Sequence, residues 1–181
     1  MPSESDTTRA GHVVGHTVGL GFGGNLGDPA RQIAEAIAAI GARGIGTVSR
    51  VSSLWRTPPW GKTDQPAFLN ACALIETQLP PLTLLGALQD IEREIGRTPG
   101  ERWGPRLIDI DILFYGDISL NDDALTIPHK NLLERAFVLA PLAEIAGDRV
   151  IGGRCVADSL GEIDSEGLER LPLQYWPQYN S

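Results

Sequence analysis

The stretch GPRLIDIDILFYGD, residues 104–117, predicts a buried β-strand that carries two charges in its middle, Asp109 and Asp111. Side chains alternate between the two faces of a strand, so these carboxylates share one face and the isoleucines around them share the other. An unpaired buried carboxylate is costly. We therefore expect the isoleucines to face a core and the aspartates to face a cleft.

Two carboxylates at positions i and i+2 of a strand lie about 7 Å apart along the backbone, from a rise of roughly 3.3 Å per residue. Their oxygens can converge on one or two hard cations, and all-oxygen ligands suit Mg²⁺, whose remaining positions phosphates can fill. A sheet face that is simply open to water is the alternative. The strand alone leaves both interpretations open.

Three arginines, Arg97, Arg102 and Arg106, precede the aspartates in a chain whose formal net charge is -8. Arginine offers paired donors to phosphate, so this segment is typical of a metal-bound polyphosphate site. A solvated charged loop is the alternative. Trp103 lies among these arginines, either to pack the loop or to stack on a flat ligand.

Upstream and downstream patterns predict the element order β-α-β-β-α-β-α. Asp28 and Pro29 begin the first helix and Pro81 begins the second. Pro141 should divide the third helical segment, and the chain after about residue 149 gives weak signals. Two adjacent strands favour an α+β, ferredoxin-like antiparallel sheet with helices packed on it, an α/β/α sandwich.

Composition narrows the function classes. The 181 residues predict one domain at 14–181 after a flexible tail at 1–13. The net charge of -8 argues against nucleic-acid binding. No apolar run reaches the roughly 20 residues of a membrane helix, and no secretory signal begins the chain, so we expect a cytoplasmic protein without a membrane partner. The two cysteines lack zinc-site spacing.

The segment GFGGNLGD, residues 21–28, suggests a phosphate loop but lacks the Lys-Ser/Thr of such loops. We interpret its glycines as allowing close approach of the backbone to another group, with a tight turn as the alternative.

Taken together, RWGPRLIDIDILFYGD closely resembles the signature of the 6-hydroxymethyl-7,8-dihydropterin pyrophosphokinase family of the folate pathway. Further segments match in order: GFGGNLGD, SSLWRTPPWG, DQPAFLNACALIET, QDIEREIGR and IPHKNLLERAFVLAPLAEIA. The resemblance is strongest over 18–146. It implies a ferredoxin-like fold and transfer of pyrophosphate from ATP to the pterin hydroxymethyl group with release of AMP. We also expect a monomer.

The resemblance also implies residue roles. Asp109 and Asp111 would hold two Mg²⁺ ions, and Arg97 and Arg106 would contact the phosphates as catalytic groups. The nucleotide side comprises Gln89, Glu92, Arg102, Arg106, Ile112, Thr126, His129 and Arg135. The pterin side comprises Gly23, Thr57, Pro58, Trp60, Phe68, Asn70, Trp103 and Phe137.

Some positions depart from the family pattern. The segment between Arg97 and Arg102 is short, Ala124 and Lys130 replace groups that some members place on ATP, and Gly24 stands where serine is usual. Two other function classes stay possible. A different two-metal phosphotransferase or nuclease would need no pterin, and a ferredoxin-like RNA-binding module would need basic and aromatic residues on its central strands.

Overall fold

The computed structural model describes residues 15–59, 63–98 and 104–176. The strands are β1 (His16–Gly24), β2 (Thr47–Val51), β3 (Trp55–Thr57), β4 (Phe68–Thr77), β5 (Asp109–Tyr115), β6 (Leu120–Asn121), β7 (Thr126–Ile127), β8 (Val150–Ile151), β9 (Arg154–Cys155) and β10 (Glu169–Arg170). The α-helices are α1 (Pro29–Ala42), α2 (Pro81–Ile95), α3 (Ala136–Ala146) and α4 (Val156–Gly161). Short 3-10 helices cover Leu132–Glu134 and Leu173–Tyr175.

One sheet organises the described part of the chain. Its strand order is β10-β3-β4-β1-β5, with β2 also paired to β4. Every neighbouring pair in it is antiparallel. The predicted α+β fold with an antiparallel sheet is therefore confirmed. The segment predicted as one strand forms β2 and β3, and both pair with β4, the next strand along the chain, with no helix between them.

Helices cover both faces of the sheet. On one face, α1 and α2 bury Ile33, Ile40, Leu84 and Leu88 against β1, β4 and β5. On the other face, α3 and α4 pack with Leu113 and other apolar residues of β4 and β5. The fold is thus the expected α/β/α sandwich. Because α3 covers only part of its face, the end of the sheet near the start of β5 stays open as a cleft.

The two predicted helix starts are confirmed. Asp28 caps α1 by accepting a hydrogen bond from the backbone N–H of Arg31 at 3.2 Å, and Pro29 is the first residue of α1. Pro81 begins α2, which ends at Gly96 with a φ of 107°, a left-handed conformation that glycine adopts without strain.

The prediction that Pro141 divides the third helical segment is wrong. The helix α3 runs through Pro141, and the interruption falls earlier, between the 3-10 helix and α3 at Arg135. A proline within a helix removes one backbone hydrogen bond and crowds the preceding turn. Here Pro141 is buried together with Leu139, Ala140 and Leu142, so apolar packing outweighs that loss.

The C-terminal segment, which the sequence left unassigned, completes the sheet. The strand β10 pairs with β3 and thereby covers its outer edge. Trp176 is 2% exposed and belongs to the core beneath α1 and α2. The expected tail at 1–13 lies outside the described residues, and a single domain at 14–181 stays a prediction. Within the described ranges, no helix is long and apolar enough to cross a membrane.

Candidate active site

The cleft lies on the α3 face of the sheet, where the ends of β1, β4 and β5 meet. It encloses about 780 Å³, including the space that opens to solvent. Its lining includes ten of the site residues predicted from the sequence: Gly23, Thr57, Pro58, Phe68, Asn70, Arg106, Asp109, Asp111, Arg135 and Phe137.

Strand register arranges the floor of the cleft. Gly23 of β1 is paired with Asn70 of β4 on one side and with Asp109 of β5 on the other. The next row towards the interior places Gly21 between Cys72 and Asp111. Adjacent strands lie about 4.8 Å apart, so the outer members of each row are separated by about 10 Å of backbone. Glycine in the middle of both rows leaves that space free of side chains.

The alternation predicted for β5 is confirmed. Ile110 and Ile112 are buried in the core beneath α1 and α2, at 5% and 2% exposure, while Asp109 and Asp111 line the cleft. Ile112, which the sequence placed on the nucleotide side, therefore turns its side chain away from the cleft. Only its backbone could face a ligand.

Asp109 is held by two arginines. Its carboxylate accepts from Arg97 Nη2 at 2.7 Å and from Arg106 Nη1. Arg97 also donates through Nη1 to Glu92 of α2. The structure thus brings together both predicted phosphate-binding arginines and one of the two predicted metal ligands.

Glu92 of α2 holds both Arg97 and the strand β5 in place. It is 3% exposed, and it accepts from the backbone N–H of Ile110 at 2.6 Å in addition to Arg97. Burial raises the pKa of Glu92, and the hydrogen bonds from Arg97 and Ile110 oppose that rise. Burial also works against the charge of Arg97, but the hydrogen bond to Glu92 and the nearby aspartates raise its pKa overall. Glu92 therefore anchors the edge strand and Arg97 rather than reaching into the cleft.

Asp111 has a different environment. The two ion pairs of Asp109 have no counterpart at Asp111 within the part of the chain that the structure describes. Its side chain reaches solvent through the cleft, but the many protein atoms around it reduce its hydration. This desolvation, followed by repulsion from Asp109 and Glu92, raises the pKa of Asp111 to about 6. An additional positive charge at this position would relieve the repulsion.

The donor set fits a hard divalent cation. Asp109 and Asp111 supply carboxylate oxygens on one face of one strand, and the described residues contain no group of three or more His, Cys, Asp or Glu side chains placed to hold a metal. Mg²⁺ commonly binds through one or two protein carboxylates and completes its octahedron with water and phosphate. The residues present therefore suit Mg²⁺ bound together with a phosphate ligand, and they do not form a protein-only metal site.

The opposite side of the cleft suits a flat polar ring. Asn70 is 7% exposed and donates through Nδ2 to the Thr57 hydroxyl at 2.9 Å, which fixes the orientation of its amide. Phe68, Phe137 and Pro58 line the same side. The Arg135 guanidinium lies 5.7 Å from the centre of the Phe137 ring, within range of a cation–π contact.

The remaining predicted residues lie around the edge of β5 or outside the described ranges. His129 donates its backbone N–H to the carbonyl of Leu113 at 2.8 Å, and its Nδ1 accepts from the backbone N–H of Asn131. Burial, and then Arg135 and Lys130, lower the pKa of His129, so it is neutral at pH 7. Thr126 lies on β7, and Gln89 is exposed on α2. The three residues that fall outside the described ranges are Trp60, Arg102 and Trp103.

Two features of the site were missed by sequence reasoning. Gly21, Cys72 and Leu113 line the cleft although none was nominated. The strand β1 also runs through the glycines to Gly24, so these residues belong to a strand and not to a tight turn. A glycine at every second position from 19 to 23 was the available signal, because such spacing clears one face of a strand.

A family model for 7,8-dihydro-6-hydroxymethylpterin-pyrophosphokinase (HPPK) matches residues 19–147.

The chain belongs to the HPPK family.

The resemblance predicted from the sequence motifs is therefore confirmed, and with it the enzyme class, an ATP-dependent diphosphokinase. Among curated HPPK relatives, the 2-amino-4-hydroxy-6-hydroxymethyldihydropteridine pyrophosphokinase of Methylorubrum extorquens is 50% identical over 153 residues, 84% of this chain and 96% of that protein. The enzyme of the same name from Pseudomonas aeruginosa is 44% identical over 154 residues, 84% of this chain and 95% of that protein.

A crystal structure of wild-type Plasmodium falciparum HPPK-DHPS with pteroate shares the fold, with a TM-score of 0.70 at 15% identity. The alignment covers 86% of this chain and 48% of that one, so this HPPK chain spans about half the length of the fused protein.

Proposed function

We propose that the protein transfers the pyrophosphoryl group of ATP to the hydroxymethyl group of 6-hydroxymethyl-7,8-dihydropterin, giving AMP and the pterin pyrophosphate. The row formed by Asn70, Gly23 and Asp109 carries this proposal. It provides an amide for a polar ring on one side, carboxylate and guanidinium groups for metal and phosphate on the other, and a glycine between them.

The pterin binds over β4 in this proposal. The bond from Nδ2 to Thr57 leaves the Asn70 carbonyl oxygen to accept from the amino and ring N–H groups of the pterin. Gly23 must lack a side chain here, because a Cβ at this position would lie 2.9 Å from Asn70 Oδ1. Phe68 and Phe137 supply apolar and aromatic surface for the flat ring. Trp60 and Trp103 are proposed to complete the pocket.

The ATP phosphates lie over β5 in this proposal. Arg97 and Arg106 meet at Asp109, and Arg135 lines the same cleft, so three guanidinium groups surround the place where negative charge increases during transfer. Gln89, Arg102, Thr126, His129 and the backbone of Ile112 are proposed to bind the rest of the nucleotide. Neutral His129 uses Nδ1 as an acceptor towards Asn131, so its Nε2–H is a donor.

Asp109 and Asp111 would hold two Mg²⁺ ions. When bound, these cations neutralise phosphate charge and supply Lewis-acid stabilisation. Asp109 and Asp111 would bind the cations on the β5 side of Gly23 and Gly21, where the phosphates are proposed to lie. Removal of the two carboxylates from water is costly, and cation binding offsets the repulsion that raises the pKa of Asp111.

The reaction needs little covalent participation by the protein. The hydroxymethyl oxygen forms a bond with the β-phosphorus of ATP, and the bond from the β-phosphorus to the α,β-bridging oxygen breaks. AMP leaves with that bridging oxygen. The hydroxyl proton passes to water. Loose phosphoryl transition states depend mainly on alignment and charge stabilisation. Asn70 and the aromatic residues would align the acceptor, while Arg97 and Arg106 would stabilise the transferred group.

Product analysis tests this proposal. Purified protein is incubated with Mg²⁺, ATP and the reduced hydroxymethylpterin, and the nucleotides and pterins are separated and quantified. We expect AMP and pyrophosphorylated pterin in equal amounts, with none formed when the pterin is omitted. ADP as the nucleotide product would contradict the proposal. Cleavage of a phosphodiester without any pterin would favour the alternative of a two-metal nuclease.

A further inference from the structure

The segment at 24–27, to which the proposed function gives no role, contacts the loop that carries Arg106. Asn25 is 5% exposed. Its Oδ1 accepts from the backbone N–H of Arg106 at 2.9 Å, and its own backbone N–H donates to the Arg106 carbonyl at 3.0 Å. Leu26 donates a third hydrogen bond to that same carbonyl at 3.2 Å.

Asn25 also holds a second loop. Its Nδ2 donates to Gln65 Oε1 at 3.1 Å and to the carbonyl of Pro66 at 3.0 Å. This loop leads directly into Phe68, the first residue of β4 and part of the lining of the cleft. One buried amide therefore uses its acceptor on the phosphate side and both of its donors on the pterin side.

The neighbours of Asn25 are shaped for the same contact. A Cβ at Gly24 would overlap the carbonyl oxygen of Leu107, so only glycine lets the 104–107 segment approach this closely. The Gln32 side chain of α1 donates to the carbonyls of Leu107 and Leu26, at 2.7 and 3.0 Å, once its amide nitrogen is assigned to the side that faces these oxygens. The segment at 24–27 thus packs closely on the backbone of 104–107.

We propose that Asn25 is a positioning residue that fixes Arg106 and the 65–66 loop relative to each other, so that the phosphate side and the pterin side of the cleft are aligned by one side chain. The catalytic consequence rests on the function proposed above. The structural consequence does not, since the hydrogen bonds belong to the chain itself. The two can therefore be measured separately.

Hydrogen exchange of the ligand-free protein measures the structural consequence. Asn25→Ala removes all three side-chain hydrogen bonds, so we expect faster exchange in both 63–67 and 104–107, including the Arg106 amide, with β1 and β4 unchanged. Gln65→Ala removes the hydrogen bond from Asn25 Nδ2 on the pterin side and leaves the bonds of Asn25 to Arg106 and Pro66 in place, so exchange should become faster in 63–67 and stay unchanged in 104–107. Gln174→Glu, an amide change on the exposed 3-10 helix Leu173–Tyr175, is the control and should alter neither segment.

Steady-state kinetics measures the catalytic consequence. A lost hydrogen bond corresponds to about a threefold to tenfold effect. We expect Gln65→Ala to raise the KM for the pterin by that factor with kcat nearly unchanged. Asn25→Ala should lower kcat by about 10- to 100-fold, because several bonds are lost and Arg106 is no longer aligned. In Asn25→Asp, one carboxylate oxygen still accepts from the Arg106 N–H, but the other oxygen is repelled by the Pro66 carbonyl oxygen. This variant should therefore retain a higher kcat than Asn25→Ala.

Defined results would overturn the proposal. In the exchange experiment, it is overturned if Asn25→Ala leaves exchange unchanged in either 63–67 or 104–107. In the kinetic experiment, it is overturned if Asn25→Ala has the wild-type kcat, or if Asn25→Ala and Asn25→Asp have equal kcat. If Asn25→Ala instead loosens the whole sheet, a wild-type pterin KM in Gln65→Ala would overturn it. Failure of the proposed function has a different signature, because wild-type protein would then form no AMP while the exchange results would still hold.

Discussion

Asp111 should destabilise the ligand-free fold, and replacing it should stabilise the fold while abolishing turnover. Its pKa is raised from 3.8 to about 6, first by loss of hydration and then by Asp109 and Glu92. At roughly 1.4 kcal/mol per pKa unit, the full shift corresponds to about 3 kcal/mol. The side chain reaches solvent, and screening reduces the expected contribution to about 1 kcal/mol.

The pH dependence has a definite sign. A carboxyl whose pKa is higher in the folded than in the unfolded state binds more protons when folded, so its destabilising effect grows as the pH rises from about 4 to about 6. Asp111→Asn cannot ionise. Its advantage over wild type should therefore be small at pH 4 and complete well above pH 6. For a chain of this size, about 1 kcal/mol corresponds to a rise in Tm of about 2–4 °C.

The assay is thermal unfolding of both proteins from pH 4 to pH 8 in a chelator, with turnover measured in parallel. Asp109→Asn is the matched control, because that carboxylate is paired with Arg97 and Arg106 and its neutralisation removes the charge attraction of both ion pairs. We expect Asp109→Asn to lower Tm and also to abolish turnover. An unchanged or lower Tm for Asp111→Asn at pH 7.5, or equal gains for both variants, would refute the reasoning.

Further predictions concern single positions in the cleft and its supports. Gly24→Ala should lower the free energy of unfolding and reduce kcat, since its Cβ would overlap the Leu107 carbonyl. Gly41→Ala is the matched control, because the space around this position in α1 is open. In denaturant titrations it should be neutral or stabilise by up to about 1 kcal/mol. Gly23→Ala should displace the Asn70 amide and raise the pterin KM about tenfold or more with little change in Tm; an unchanged KM would place the pterin elsewhere. Because the pKa of His129 is lowered, its neutral form should predominate from pH 6.5 to pH 8. The loss of nucleotide affinity in His129→Ala, measured by calorimetry, should therefore not grow towards the lower end of that range. A loss that grows towards low pH would indicate that the charged form binds.

Local sequence rules account for much of the site. The alternation of Asp109 and Asp111 with buried isoleucines follows from the two-residue period of a strand, and it is confirmed without knowledge of the neighbouring strands. The helix starts at Asp28 and Pro81 likewise depend on chemistry within one turn. These features could be predicted because each is decided by residues that are adjacent in the chain.

Features that depend on distant residues could not be predicted in this way. The row of Asn70, Gly23 and Asp109 is set by the register of three strands, and its members lie more than 35 positions apart in the chain, which no local pattern encodes. Pro141 stays within α3 because the surrounding core compensates for it. The strand β10 is two residues long and is specified by its pairing with β3 rather than by its own composition.

The role of Asn25 was hidden for a related reason. In the sequence it belongs to a glycine-rich stretch that resembles part of a phosphate loop, and nothing in that stretch indicates Gln65 or Arg106 as partners. The two loops converge only in three dimensions, 40 and 81 residues further along the chain.

The central claim is transfer of pyrophosphate across the glycine row, and the position of an isotopic label tests it most directly. ATP labelled separately at the β- and γ-phosphorus is turned over once with the reduced hydroxymethylpterin, and the label is located by mass spectrometry or phosphorus NMR. The account predicts both labels in the pterin product and unlabelled AMP. A pterin that carries only the γ label, with labelled ADP released, would contradict it.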